Sequence, residues 1–253
     1  MKRMILMMAF GLMTVGAINA QEYKVSKSSG TLEVREVNNV NIEGTTGNEI
    51  IFSVRGRDRD DDDRAKGLRA LSASGLEDNT GLGLSVVTSG ETVEVQQLKK
   101  MDGPDVTIKV PKGVKVYISH TSPHGSDVEI TNFEGDLEVS TVHNDVRLTN
   151  TPGALNIKTV HGDIEAALVA NQKSARLVSV HGHVDVGMPV TMKANLRLGT
   201  SWGEILVDPD FKIEIDKTGS FVKYSDKVSG KLNGGGVEVE LASTHNNVYL
   251  RKK

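Results

Sequence analysis

Five histidines recur at short, near-regular intervals, His124, His143, His161 and His181, with His245 after a longer gap. Imidazole can ligate a metal, move a proton or switch charge near neutral pH, so a column of them is a candidate for chemistry. Three share a frame: Thr141-Val142-His143, Thr159-Val160-His161 and Ser179-Val180-His181. A small or turn-forming residue follows each (Asn144, Gly162, Gly182), then Asp145, Asp163 or His183. If the units stack at the strand spacing of about 4.8 Å, neighbouring imidazoles lie within ~5 Å of one another. Imidazoles and carboxylates at that spacing could bind Zn²⁺ or Cu²⁺. The candidate metal ligands are therefore His143, Asp145, His161, Asp163, His181 and His183. Two other expectations stand beside this one. The first is a structural ladder in which Asp and Gly serve turn geometry. The second is a pH-responsive patch, because stacked imidazoles disfavour one another's protonation.

Other groups offer less. Asp127, Asp145 and Asp163 could share a calcium ion, but the glycine-aspartate nonapeptide of calcium-binding β-rolls is missing, and local turn bonding is the simpler expectation. The run Asp58 to Asp63 fails as an EF-hand: its sixth position is Asp63 rather than Gly and its twelfth is Arg69 rather than Glu. Glu129, Arg147, Glu165 and Asp185 could form a hydrolase-like set of carboxylates with an arginine, yet alternating surface charge accounts for them. There is no nucleophile elbow, phosphate loop or zinc-protease helix. With no cysteine, thiolate sites, disulfides and a cysteine nucleophile are excluded. A net charge of −3 argues against nucleic-acid binding, and 4% aromatic content argues against an aromatic-rich glycan platform. No enzymatic activity and no cofactor are expected.

The elements that would position these residues are strands. Short alternating runs bounded by Gly, Asn, Asp and Pro recur through the chain, and helical periodicity is nearly absent. From about Val114 the columns repeat. One inward column reads Val128, Val146, Ile164, Val184, Ile205, Val248, and the next reads Ile130, Leu148, Ala166, Val186, Val207, Leu250. Between them the outward column reads Glu129, Arg147, Glu165, Asp185, Leu206, Tyr249, and a second strand per unit supplies pairs such as Leu137 and Val139. Several columns keeping their character at repeats of about 18–21 residues predict an all-β chain, a single-chain β-solenoid of roughly seven coils. The expected organisation is a signal peptide over 1–20, an N-terminal β-rich region over 21–112 with an acidic loop at 55–66, and the solenoid domain over 113–253. The first segment reads as a cleavable signal: Lys2 and Arg3, an apolar run from Met4 to Gly16, and Ala20 before the cut. The mature chain is expected to be periplasmic, extracellular or on the cell surface, with no transmembrane segment.

The repeats resemble a bacterial family of exported β-strand-repeat proteins named as putative adhesins, a domain of unknown function. The likeness rests on Thr159 to Glu165, Thr141 to Arg147 and Gly135 to Val139, on the step Pro111-Lys112-Gly113-Val114, and on the closing stretch from Gly230 to Leu250. Histidine stands here where that family more often has asparagine. The resemblance implies a non-enzymatic interaction or scaffold module at the cell envelope, with a surface protein or glycan as partner. Two alternatives accompany it: a filament that self-associates through its solenoid ends, and a metal-binding or enzymatic solenoid built on His143, His161 and His181.

Overall fold

The computed structural model describes residues 22–55, 64, 67–215 and 226–253. The expected signal peptide and most of the acidic loop lie outside these. The first strands are β1 (Glu22–Ser26), β2 (Gly30–Arg35), β3 (Asn39–Thr45), β4 (Glu49–Val54), β5 (Leu84–Ser89), β6 (Thr92–Gln97) and β7 (Asp105–Pro111). The repeats follow as β8 (Val114–His120), β9 (Asp127–Thr131), β10 (Leu137–Thr141), β11 (Asp145–Thr149), β12 (Ala154–Thr159), β13 (Ile164–Ala167), β14 (Ser174–Ser179) and β15 (Val184–Met188). The chain continues through β16 (Ala194–Thr200), β17 (Ile205–Val207), β18 (Ile213–Ile215), β19 (Asp226–Leu232), β20 (Val237–Ser243) and β21 (Val248–Lys252). The protein is all-β, in two mixed sheets, and no helix among the described residues is long and apolar enough to cross a membrane.

The ten-stranded sheet runs β1-β4-β7-β3-β9-β11-β13-β15-β21-β17, and the eleven-stranded sheet runs β18-β19-β16-β20-β14-β12-β10-β8-β2-β6-β5. Eight two-strand units, one strand in each sheet, therefore stack in parallel: β6/β7, β2/β3, β8/β9, β10/β11, β12/β13, β14/β15, β20/β21 and β16/β17. The four central units keep sequence order. The first two are exchanged, and so are the last two. The expected column order Asp185, Leu206, Tyr249 is corrected accordingly: Asp185 pairs with Tyr249, and Tyr249 with Leu206. The antiparallel pairings between named strands among the described residues sit at the ends of the stack, where β1, β4, β5, β18 and β19 attach.

Period-two alternation explains the strands of the stacked units. In β10 the burial runs Leu137 in, Glu138 out, Val139 in, Ser140 out, Thr141 in. The core between the sheets is aliphatic, with Val116, Leu137, Leu155 and Ala175 as one buried column of the eleven-stranded sheet and Val128, Val146, Ile164 and Val184 as one of the ten-stranded sheet. Branched side chains suit a pleated, close-packed surface of this kind. At one edge of the stack Asn132 and Asn150 adopt left-handed backbone (φ 53° and 55°), a conformation asparagine tolerates in turns, and the Asn150 amide donates to Asn132 Oδ1 at 2.7 Å. The histidines occupy the opposite edge.

Candidate functional site

Each histidine-bearing turn is built from two columns two residues apart, one facing in and one facing out. The inward column is Thr141, Thr159, Ser179, Ser243 and Thr200, all buried. Its hydroxyls close the turns. Thr159 Oγ1 donates to Gly162 O at 2.6 Å; Ser179 Oγ donates to the same carbonyl at 3.0 Å and accepts the Gly182 N–H at 2.9 Å. Ser243 and Thr200 repeat the pattern with Gly182 O and Asn246 O. The glycines after His161 and His181 are demanded by the stacking itself: a Cβ on Gly162 would collide with the Asn144 carbonyl, and one on Gly182 with the Gly162 carbonyl. The aspartates staple successive units. Asp145 Oδ1 accepts the Asp163 N–H at 2.9 Å, and Asp163 Oδ1 accepts the His183 N–H at 2.8 Å.

The outward column is an imidazole stack. Ring centroids are 5.0 Å apart for His143 and His161, 4.8 Å for His161 and His181, and 4.6 Å for His181 and His245, with interplanar angles of 24°, 7° and 8°. The rings are solvent-exposed. One backbone bond repeats beneath them: His161 N–H to Val142 O, His181 N–H to Val160 O, His245 N–H to Val180 O, and Trp202 N–H to Thr244 O. Trp202, 78% exposed, thus takes the equivalent backbone position in the unit next to His245.

The six candidate ligands fall into two groups. His143, His161 and His181 lie in the stack, whereas Asp145, Asp163 and His183 lie in the neighbouring column. There His183 Nδ1 is 3.0 Å from Asp163 Oδ1 and its Nε2 is 4.0 Å from Glu165 Oε1. No group of three or more His, Cys, Asp or Glu side chains among the described residues is arranged to hold a metal ion. Stacking explains this for the imidazoles: a ring nitrogen's lone pair lies in its ring plane, so parallel rings aim their lone pairs side by side rather than at one point.

His124 drops out of the expected alignment. The turn before β9 is longer, and the strand position equivalent to Thr141 is held by His120. His120 is fully buried, with Nε2 3.0 Å from Asn38 Oδ1. Burial pushes its pKa below the ordinary imidazole value, opposed by the Glu36 carboxylate. Its Nδ1 and the Oδ1 of buried Asn144 have no hydrogen-bond partner, and both face Gly125. The alternation Val116, Ile118, His120 was the available signal for an inward histidine, just as Leu137, Val139, Thr141 was for an inward hydroxyl.

On the outer face of the ten-stranded sheet, Glu129, Arg147 and Glu165 are cross-strand neighbours of alternating sign. Arg147 donates to Asp127 at 2.6 Å and has Glu165, Asp145 and Glu129 at 3.7, 3.8 and 4.0 Å. The hydrogen bond to Asp127 leads in holding its pKa above the usual value, with the other carboxylates adding to it. Further along, Arg251 binds Asp185 at 2.7 Å and lies 5.0 Å from the Tyr249 ring centroid. Such exposed pairs contribute little stability. Their regularity makes a charged face.

No family model matches this sequence, and no curated protein matches it. Two solved structures are similar to it. A putative cell adhesion protein from Clostridium sporogenes is 10% identical, with a TM-score of 0.47 over 93% of this chain and 100% of that one. A putative adhesin from Bacteroides fragilis is 11% identical, with a TM-score of 0.27 over 94% and 98%. Both likenesses are too loose to carry a function across.

Proposed function

We propose that this chain is an exported, non-enzymatic β-solenoid that works as an adhesin-like interaction or scaffold module at the cell envelope. The observation that supports the reading is the arrangement of its polar groups. Among the described residues, charged side chains and imidazoles stand in rows across neighbouring strands. A row of that kind suits an extended partner, a surface protein or glycan, met along several units at once. The N-terminal segment of basic start, apolar run and small residues supports export. Antiparallel strands β1, β5 and β18 form three of the four described sheet edges, which weighs against an end-to-end filament.

The test combines location with binding. Cell fractionation should recover the protein in the periplasmic, surface or secreted fraction, shortened at its N-terminus. Purified protein should co-sediment with envelope fractions. Replacing Glu129, Arg147 and Glu165 together by Ser should weaken that binding at least tenfold while leaving the circular dichroism spectrum unchanged. Cytoplasmic retention at full length, or no envelope binding at all, would overturn the reading.

A further inference from the structure

We propose that the histidine stack is a divalent transition-metal site completed only when two copies of this chain lie side by side, ladder against ladder. The inference is independent of the adhesin-like reading and begins from the ring spacing. Zinc binds imidazole nitrogen at about 2.0–2.1 Å, so two nitrogens on one ion are at most about 4.2 Å apart. Adjacent rings are stacked at 4.6–5.0 Å with near-parallel planes. One ion therefore takes a single nitrogen from each ladder, and single-imidazole coordination is weak.

A second ladder removes that weakness. Its rungs carry the same period, so every ion held by one copy meets a nitrogen from the other. A two-fold axis perpendicular to the stack sets His143 opposite the second copy's His245, and His161 opposite its His181. Once the first bridge forms, the remaining ones are intramolecular, and the shared rigid spacing makes several weak contacts act together. The surroundings favour this use. Half-buried Val142, Val160 and Val180 flank the rings on one side. Asp145 and Asp163 on the other attract a cation and repel the like-charged column of a second copy when no metal is present.

Sedimentation velocity of the purified protein with and without Zn²⁺ tests the proposal. Zinc should double the sedimenting mass, with about one ion taken up per facing pair of rungs, and a chelator should restore the monomer. Replacing His143, His161, His181 and His245 together by Asn should abolish the shift. All four rings are exposed, so the thermal midpoint of this variant should stay close to that of the parent, which separates loss of the site from loss of the fold. Absence of zinc-dependent association, zinc taken up by a species that remains monomeric, or association that persists in the fourfold variant would each overturn it.

Discussion

From β8/β9 to β14/β15 the units succeed one another in space as they do in sequence, whereas at each end of the stack neighbouring units have exchanged places. In the middle, paired strands are close in sequence, as Leu137 and Leu155 are. At the ends they are far apart: Arg176 binds Glu240 across 64 residues, and His120 meets Asn38 across 82. Long closures cost only slightly more entropy than short ones, since the cost grows with the logarithm of loop length. The exchange seats β2/β3 and β20/β21 between two neighbours and leaves β6/β7 and β16/β17 outside. The middle is thus held by repetition and the ends by interlocking.

Truncation breaks this comparison most severely. Removing residues 237–253 takes out the unit seated between β14/β15 and β16/β17, so two interfaces are lost instead of one. The shortened chain should lose its cooperative thermal transition, whereas a stack with its last unit on the outside would lose only a fraction of its stability. Core truncations come next. Ile164→Ala in the middle should cost about 2–5 kcal/mol in denaturant unfolding. Ile205→Ala, half-buried at the stack's end, should cost less than about 1.5 kcal/mol.

At the turn, Ser179→Ala strips a bond from both the Gly162 carbonyl and the Gly182 amide and should cost about 1–3 kcal/mol. His120 adds a pH dependence near the first exchanged unit. Burial lowers its folded-state pKa, so as pH falls below about 6.5 the unfolded chain takes up a proton that the folded one does not. Its contribution is complete above that pH and declines on acidification until the folded-state value is reached. The His120→Gln variant should lose this part of the pH slope in urea unfolding curves. The smallest effect should come from His161→Ala, whose ring is exposed: unfolding free energy should change by less than about 0.5 kcal/mol, a contrast with Ser179 that separates the column the fold needs from the column it leaves available.

The repeating columns were legible because each unit faces the same packing problem and answers it with the same residue types. The exchange of the last two units was not, because Ile205 and Val248, or Val207 and Leu250, would fill either place equally well. At the other end the long segment between β3 and β6 hides the period, although Leu32 with Val34 and Val40 with Ile42 alternate as the later units do. His124 misled the alignment because two histidines lie near one turn and the extra loop residues between them shift the register. The ladder was visible as recurring His residues. That Trp202 takes the equivalent turn position next to His245 could not be read without the exchanged order.

The interlocked ends also set how the molecule answers force. A strand at the rim of a sheet can be unzipped one hydrogen bond at a time, but β21 is bonded along both edges, to β15 and β17, and β2 likewise to β8 and β6. Tension applied beyond either strand has to slide it out in shear against two neighbours, breaking many bonds together. At the N-terminal end of the described residues β1, paired on one side with β4, can peel first. Under load the protein should give up that one strand readily and then stiffen.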